Sequence, residues 1–339
     1  MPSKTRKKKT HIRINLTYLP KKGGSRHEGL TTFKTICNSK DAHAQLLVTK
    51  SIKAPEENTD FVHVLESSYK NTTFILKVLE PSNQVYKELA IHKLLSDQPN
   101  IVQYICDFQC NIDNLIITKP INKPYQLCTD DGQPLHIIVM EYINTDLAEY
   151  LKSDNVLEHI FISIVKQIGF CLLNIHVNYS VSHNDINRGN FLLKIDNTHQ
   201  QKEITYTIHN NTSTVQTYGH EFILIDFERG SILDQKYRNV FRAYINIYNN
   251  IINNNYDNSN EYNDINNNMN NLNNSEKKYR KYGSYVVLQA RDEITIAYSL
   301  ISVWASSPKY KTAIKSLAKQ IDETKSLNKL FSLIDTFSV

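Results

Sequence analysis

Asp185 and Asn190 lie five residues apart in Ser182-His183-Asn184-Asp185-Ile186-Asn187-Arg188-Gly189-Asn190, which runs into the apolar Phe191-Leu192-Leu193. The pattern is His-x-Asp-x-x-x-x-Asn. A carboxylate at Asp185 can take a proton from a substrate hydroxyl, and a carboxamide oxygen at Asn190 can ligate a divalent metal. A short loop between a helix and a strand can aim both into one cleft. A second carboxylate, Asp226, ends the apolar run Phe222-Ile223-Leu224-Ile225. A single cation, Lys77, interrupts Phe74-Ile75-Leu76-Lys77-Val78-Leu79. The octet alone also suits a polar surface loop, so the flanking elements decide.

Upstream, Leu157, Ile160, Phe161, Ile164, Ile168, Cys171, Leu172 and Ile175 recur every three or four residues, which predicts a buried helix over 156–177. Earlier, the runs 45–48, 61–65 and 72–79 read as three strands. A lysine in such a strand is commonly an edge gatekeeper. The next segment argues otherwise: over 83–96 the apolar face Val85, Leu89, Ile91, Leu94 and Leu95 predicts a helix that carries Glu88 close by. His136 to Tyr142 reads as a buried strand, and a helix begins at Asp146. Residues 204–208 and 214–219 predict a hairpin around Asn210-Asn211. Residues 249–274 are Asn-rich and too poor in large apolar side chains to pack, so they predict a disordered insertion. A helix is expected to start at Asp292, and 313–337 reads as two short helices.

Length and composition bound the answer. A chain of 339 residues, 40% hydrophobic, holds one large or two moderate cores. Cysteines 37, 106, 110, 128 and 171 are scattered, without a Cys-x-x-Cys or zinc spacing, and predict reduced thiols in an intracellular protein. Met1 to Thr10 lacks the apolar core of a signal peptide, and no apolar run of about 18 residues is visible, so no membrane segment is expected. Residues 1–34 hold ten Lys and Arg against one acid, a net +9 of a total +5, which leaves the remainder at −4. That basic stretch suits a solvated tail, a nuclear address or a nucleic-acid contact.

A helix, a loop with Asp and Asn, a strand, then a strand ending in Asp-Phe resembles the C-terminal lobe of eukaryotic-type protein kinases, and Pro99-Asn100-Ile101-Val102 adds to the likeness. The style is similar to haspin and to kinases of large DNA viruses. The resemblance implies an α+β, two-lobed kinase-like fold: a basic tail at 1–40, a β-rich lobe at 41–142 and a helical lobe at 143–339. It implies ATP and Mg2+, and transfer of the γ-phosphate to Ser or Thr of a protein substrate. Asp185 would orient and deprotonate the acceptor. Lys77 would hold the phosphates and pair with Glu88. Asn190 and Asp226 would bind magnesium. Glu141 and Ile143 would offer backbone groups to the base, with Met140 facing it. His183 would be a brace, and Asp292 matches the acid that supports the catalytic loop.

The departures from that pattern are specific. No glycine lies between Val48 and Phe61, where a phosphate loop is expected. Glu228 replaces the Gly after Asp-Phe. Asn187 replaces a Lys, leaving Arg188 to supply its charge. Asn184 replaces the Arg that receives an activation-loop phosphate, and no Ala-Pro-Glu follows. His-Asn-Asp with Ile-Asp-Phe-Glu also resembles choline and aminoglycoside kinases, so a small-molecule kinase stands as one alternative. The missing glycines leave a pseudokinase binding module as another.

Overall fold

Alternation along one strand sets the architecture around Lys77. The computed structural model describes residues 36, 45–53, 62–69, 72–80, 82–112, 124–130, 132–198, 201–232 and 285–339. Six strands form a curled sheet: β1 (Leu47–Lys53), β2 (Val62–Tyr69), β3 (Thr72–Leu79), β4 (Tyr104–Ile112), β5 (Tyr125–Gln126) and β6 (Gln133–Glu141). Their order is β4-β6-β3-β2-β1-β5, and every pairing is antiparallel. Phe74, Leu76 and Val78 of β3 pack into one core with Leu46, Val48, Leu65, Ile137 and Val139. Ile75 and Leu79 belong to the opposite face, against Val85, Tyr86 and Leu89 of helix α1 (Asn83–Leu95). Side chains alternate along a strand, so Lys77 shares the second face and points at α1. The Ser82 side chain accepts the Val85 N–H and starts that helix.

The second half is mainly helical, which makes the chain a mixed α+β protein. It contains α2 (Leu147–Leu151), α3 (Glu158–Tyr179), α4 (Tyr285–Trp304), α5 (Pro308–Asp322) and α6 (Leu327–Asp335). Asp146 caps α2 by accepting the Glu149 N–H at 3.0 Å. Helix α3 is buried on nearly all sides and forms the centre of the largest core, with Tyr298, Ile301, Phe331 and Ile334 from the later helices. Among the described residues it is the one helix long and apolar enough to cross a bilayer, and 83% of its apolar window is buried inside the protein. Tyr298 donates to the Val165 carbonyl at 3.0 Å and lies directly on Gly169, where any Cβ would collide with its hydroxyl. Short strands then fix the loops: β7 (Thr145–Asp146), β9 (Phe191–Ile195) and β12 (His220–Leu224) pair in the order β12-β9-β7, while β8 (Val181–Ser182) pairs with β13 (Ser231–Ile232). The expected hairpin is present as β10 (Glu203–Ile208) and β11 (Asn211–Gln216).

Several expectations shift. Strand β4 and the small β5 join the sheet beyond the three strands read from its first half. Helix α4 starts at Tyr285, before the expected Asp292, because Gln289-Ala290 and the preceding valines continue the helix without a cap signal. Cys110 and Cys128 are joined as a disulfide with their Cα atoms 5.6 Å apart, so those two thiols are not free as expected. Ile36 is fully buried in the sheet's core. The basic run 1–35, residues 54–60 of the glycine-free stretch and the Asn-rich 249–274 lie outside the described residues.

One buried polar node ties the two halves together. Asn100 adopts φ 64°, in the left-handed region that Asn tolerates better than most residues. Its Nδ2 donates to Gln167 Oε1 at 3.0 Å and to the Phe222 carbonyl at 2.7 Å, and its Oδ1 accepts from Tyr206. Gln167 Oε1 also accepts the Phe222 N–H at 2.9 Å, and the Leu224 N–H reaches the Asn100 carbonyl at 2.7 Å. The node therefore fixes β12, the strand that delivers Asp226, against α3 and the β10–β11 hairpin. Asn100→Ala strands buried partners on three elements and should destabilise by about 2–4 kcal/mol. Denaturant unfolding checks this, and a double-mutant cycle with Tyr206→Phe should be clearly non-additive.

Candidate active site

The loop between β8 and β9 is shaped by its own side chains. Asn187 caps the 3-10 turn Arg188–Asn190 by accepting the Gly189 N–H at 2.8 Å. Asn190 Nδ2 donates to the Asp185 carbonyl at 2.8 Å and to Asp185 Oδ2 at 3.2 Å, so the two expected site residues are in contact. The Ile225 N–H donates to the Asn190 carbonyl at 3.1 Å, which places the approach to Asp226 against the same loop. His183 Nε2 lies 2.9 Å from the Ile225 carbonyl, and its Nδ1 accepts the Asp185 N–H at 3.3 Å. Burial lowers the His183 pKa. This geometry is that of a brace.

Glu293, not Asp292, supports the loop from α4. It accepts from the Ser182 hydroxyl and the Asn184 N–H, each at 2.8 Å, and from the His183 N–H at 3.3 Å; His176 Nε2 lies 2.9 Å away. Asp292 points outward and pairs with Arg291. Helical spacing carried the signal: residue 293 shares a face with buried Ala290, Ile294 and Ala297, and residue 292 does not.

Lys77 is the meeting point of the other groups. Its ammonium, on a residue only 4% exposed, donates to both Glu88 oxygens at 2.8 and 2.9 Å and to Asp226 Oδ1 at 2.9 Å. Glu228 Oε2 lies 3.4 Å away. Carboxylate oxygens of Glu88, Asp226 and Glu228 fall within 4.8 Å of one another, a grouping that could hold a metal ion. In this structure the cation among them is the lysine. Burial disfavours the Lys77 charge, but Glu88 and Asp226 outweigh it and raise its pKa. Burial likewise pushes Glu88 and Asp226 up, and Lys77 reverses the sign for both. Gln84 Nε2 donates to the Glu228 carbonyl and docks the segment after Asp226 on α1.

The remaining expected residues are more peripheral. The Glu141 N–H donates to the Gln103 carbonyl at 3.1 Å, while its carboxylate takes the Gln103 N–H and the Lys194 ammonium. One of its two backbone groups is therefore already used. Ile143 packs on the cluster around Leu79, Val85, Met140 and Ile223, beside Ile75, Leu192 and Ile225. Arg188 turns to Glu149 and Asp146 on the exposed side, so it does not supply the charge expected beside Asp185. Arg229 lies 3.6 Å from Asp185 Oδ1, with its side chain 71% exposed.

Glu293 gives the site a pH dependence of definite sign. Burial raises its pKa, but His176 and the Asn184 and Ser182 donors overcome that and bring it to about 2. A depressed carboxyl stabilises above its unfolded value of about 4.5 and loses that contribution as pH falls toward about 2. The stake is on the order of 3 kcal/mol. Glu293→Gln should be less stable at pH 7 and show a flatter decline between pH 5 and 3 in thermal unfolding. Parallel declines would show that another carboxylate governs the acid limb. No protein-family model matches the sequence, and no curated protein matches it either.

Proposed function

We propose that the chain is an ATP-dependent kinase of two-lobed, protein-kinase-like architecture that transfers the γ-phosphate to Ser or Thr hydroxyls of a protein. The observation that carries this reading is the Lys77 ammonium, bonded at once to Glu88 on α1 and to Asp226, 149 residues away in sequence. Phosphoryl transfer needs a cation held by a carboxylate, with metal-binding oxygens and a proton acceptor beside it. Lys77 supplies the first and Glu88 holds it. Asn190 and Asp226 would ligate Mg2+, which neutralises phosphate charge when bound. Asp185 orients the hydroxyl and accepts its proton. Ile75, Met140, Ile143, Leu192 and Ile225 belong to one apolar cluster, against which adenine would pack in this reading.

One observation favours a small, cationic acceptor instead. A cavity of roughly 390 Å³ beside Asp185 is lined by Asp292, Glu293, Gln289 and Ile296. Glu228 also fits the Ile-Asp-Phe-Glu likeness to choline and aminoglycoside kinases. Transfer assays with Mg-ATP and basic proteins, choline or an aminoglycoside separate these readings; transfer to none of them, without ATP binding, would sink both.

Asp185→Ala should lower transfer by about 10²–10⁴-fold while leaving ATP affinity near wild type, since Asp185 meets the acceptor and not the nucleotide. Near-normal turnover in an isotope-transfer assay rejects the assignment.

Activity should also be independent of loop phosphorylation. Asn184 Nδ2 donates to the Arg229 carbonyl at 3.1 Å and to Ser231 Oγ at 2.9 Å. It already secures the following segment with neutral hydrogen bonds, and an amide offers a phosphate no charge-assisted pair. Rates before and after phosphatase treatment, with mass spectrometry to verify removal, should agree. A large loss would identify a different phosphate receptor, such as Arg229.

A further inference from the structure

Position 92 lies one helical turn beyond Glu88 on α1, facing inward. An aliphatic side chain would fill that space without burying polar atoms. The chain has His92, fully buried. Its ring stacks on Tyr104 at 6.4 Å and 19°, and it meets the Phe227 ring edge-on at 5.5 Å. Phe227 in turn lies 4.8 Å from His183. Neither His92 nitrogen reaches hydrogen-bond geometry, yet Nε2, 3.5 Å from Glu88 Oε1, is near enough to join Lys77 in holding the Glu88 carboxyl below its usual range, so the contact is long and not absent. A buried nitrogen left short of a partner destabilises a fold, so its presence calls for a compensating role.

Glu88 explains why the contact stays open. Both its oxygens are taken by Lys77, whose ammonium also serves Asp226 and Glu228. A phosphate group beside Lys77 would draw on that ammonium. Glu88, 1% exposed, would then lose part of its strongest counter-charge. Among the described residues His92 Nε2 lies 3.5 Å from Glu88 Oε1, and in the tautomer that carries its proton on Nε2 it can donate there.

We propose that His92 is a positioning residue for Lys77: its Nε2–H closes on Glu88 when the ammonium is shared with nucleotide phosphate, and keeps the carboxylate aimed. The same ring touches Phe227, so it links the Lys77–Glu88 pair to the turn that carries Asp226. This inference rests on the phosphotransfer reading.

The test compares full-length wild type, H92F and H92Q. H92F keeps a ring for the stack and removes the nitrogen; H92Q keeps an N–H donor and loses the ring. Four quantities are measured: melting temperature without nucleotide, its rise with Mg-ATP, KM for ATP, and kcat. H92F should melt near or above wild type without nucleotide, show a smaller Mg-ATP rise, and lose roughly tenfold in kcat/KM. H92Q should recover most of the Mg-ATP rise even where its nucleotide-free melting temperature falls. A wild-type rise and wild-type kinetics in H92F overturn the proposal, as do equal deficits in H92F and H92Q, since ring packing alone would then explain them. Where H92F does not fold, H92L against H92Q gives the same comparison, and equal rises overturn it. Wild type that neither binds Mg-ATP nor transfers phosphate defeats the phosphotransfer reading first, and this inference with it.

Discussion

Everything at the site depends on one buried ammonium. Taking a lysine and a glutamate out of water is unfavourable by several kcal/mol per ion unless each meets the other with good geometry. Lys77 and Glu88 do so with two short contacts, and Asp226 adds a third. The sheet contributes Lys77, α1 contributes Glu88, and the end of β12 contributes Asp226. Neither Lys77 nor Glu88 can move far without leaving an unpaired charge in a buried place, and Asp226, at the partly exposed rim, is held by the same ammonium. A charge cluster that is awkward for stability thus fixes the relative placement of three distant chain segments.

That placement is then propagated by backbone hydrogen bonds. Asn190 accepts from Ile225, His183 meets the Ile225 carbonyl, and Glu293 gathers the Ser182–Asn184 stretch. On the far side, Asn100 and Gln167 fix β12 through Phe222 and Leu224. Asp226 is therefore tethered at both ends of its approach, by polar groups that α3 and α4 bury. Exposed charge pairs such as Arg188–Glu149 contribute little by comparison, because solvent screens them.

The parts legible in the sequence were those with a strong period or an isolated charge in an apolar run. The lysine in β3 and the amphipathic α3 stand out for that reason, and the Asp185–Asn190 spacing is local. Glu293 was misread as Asp292 because the resemblance suggested an aspartate, whereas the helix face favoured the next residue. Asn100 entered only through the Pro99-Asn100-Ile101-Val102 likeness, and its structural role was not legible, since its partners Gln167, Phe222 and Tyr206 are remote in sequence and no local pattern reports them. The pairing of Cys110 with Cys128 was invisible for the same reason: β4 and the segment after β5 become neighbours only once the sheet closes. His92 has the spacing of a core position, so its polarity is meaningful only when Glu88 and Phe227 are seen around it.

Two residues at the cleft, Asn184 and Asp226, have φ of 60° and 65°. Left-handed backbone costs non-glycine residues about 1–3 kcal/mol and persists only where the surroundings over-determine it. Here they do: Glu293 takes the Asn184 N–H while Ser231 and Arg229 take its side chain, and Lys77 takes the Asp226 carboxylate. Asn and Asp tolerate this conformation better than other side chains do. A glycine at either position would relieve the strain but lose the contact, and a β-branched residue would satisfy neither requirement. Residue type at these two positions is thus set by backbone and side chain together. The turn that aims Asp226 at Lys77 and the turn that presents Asp185 are built by the same device.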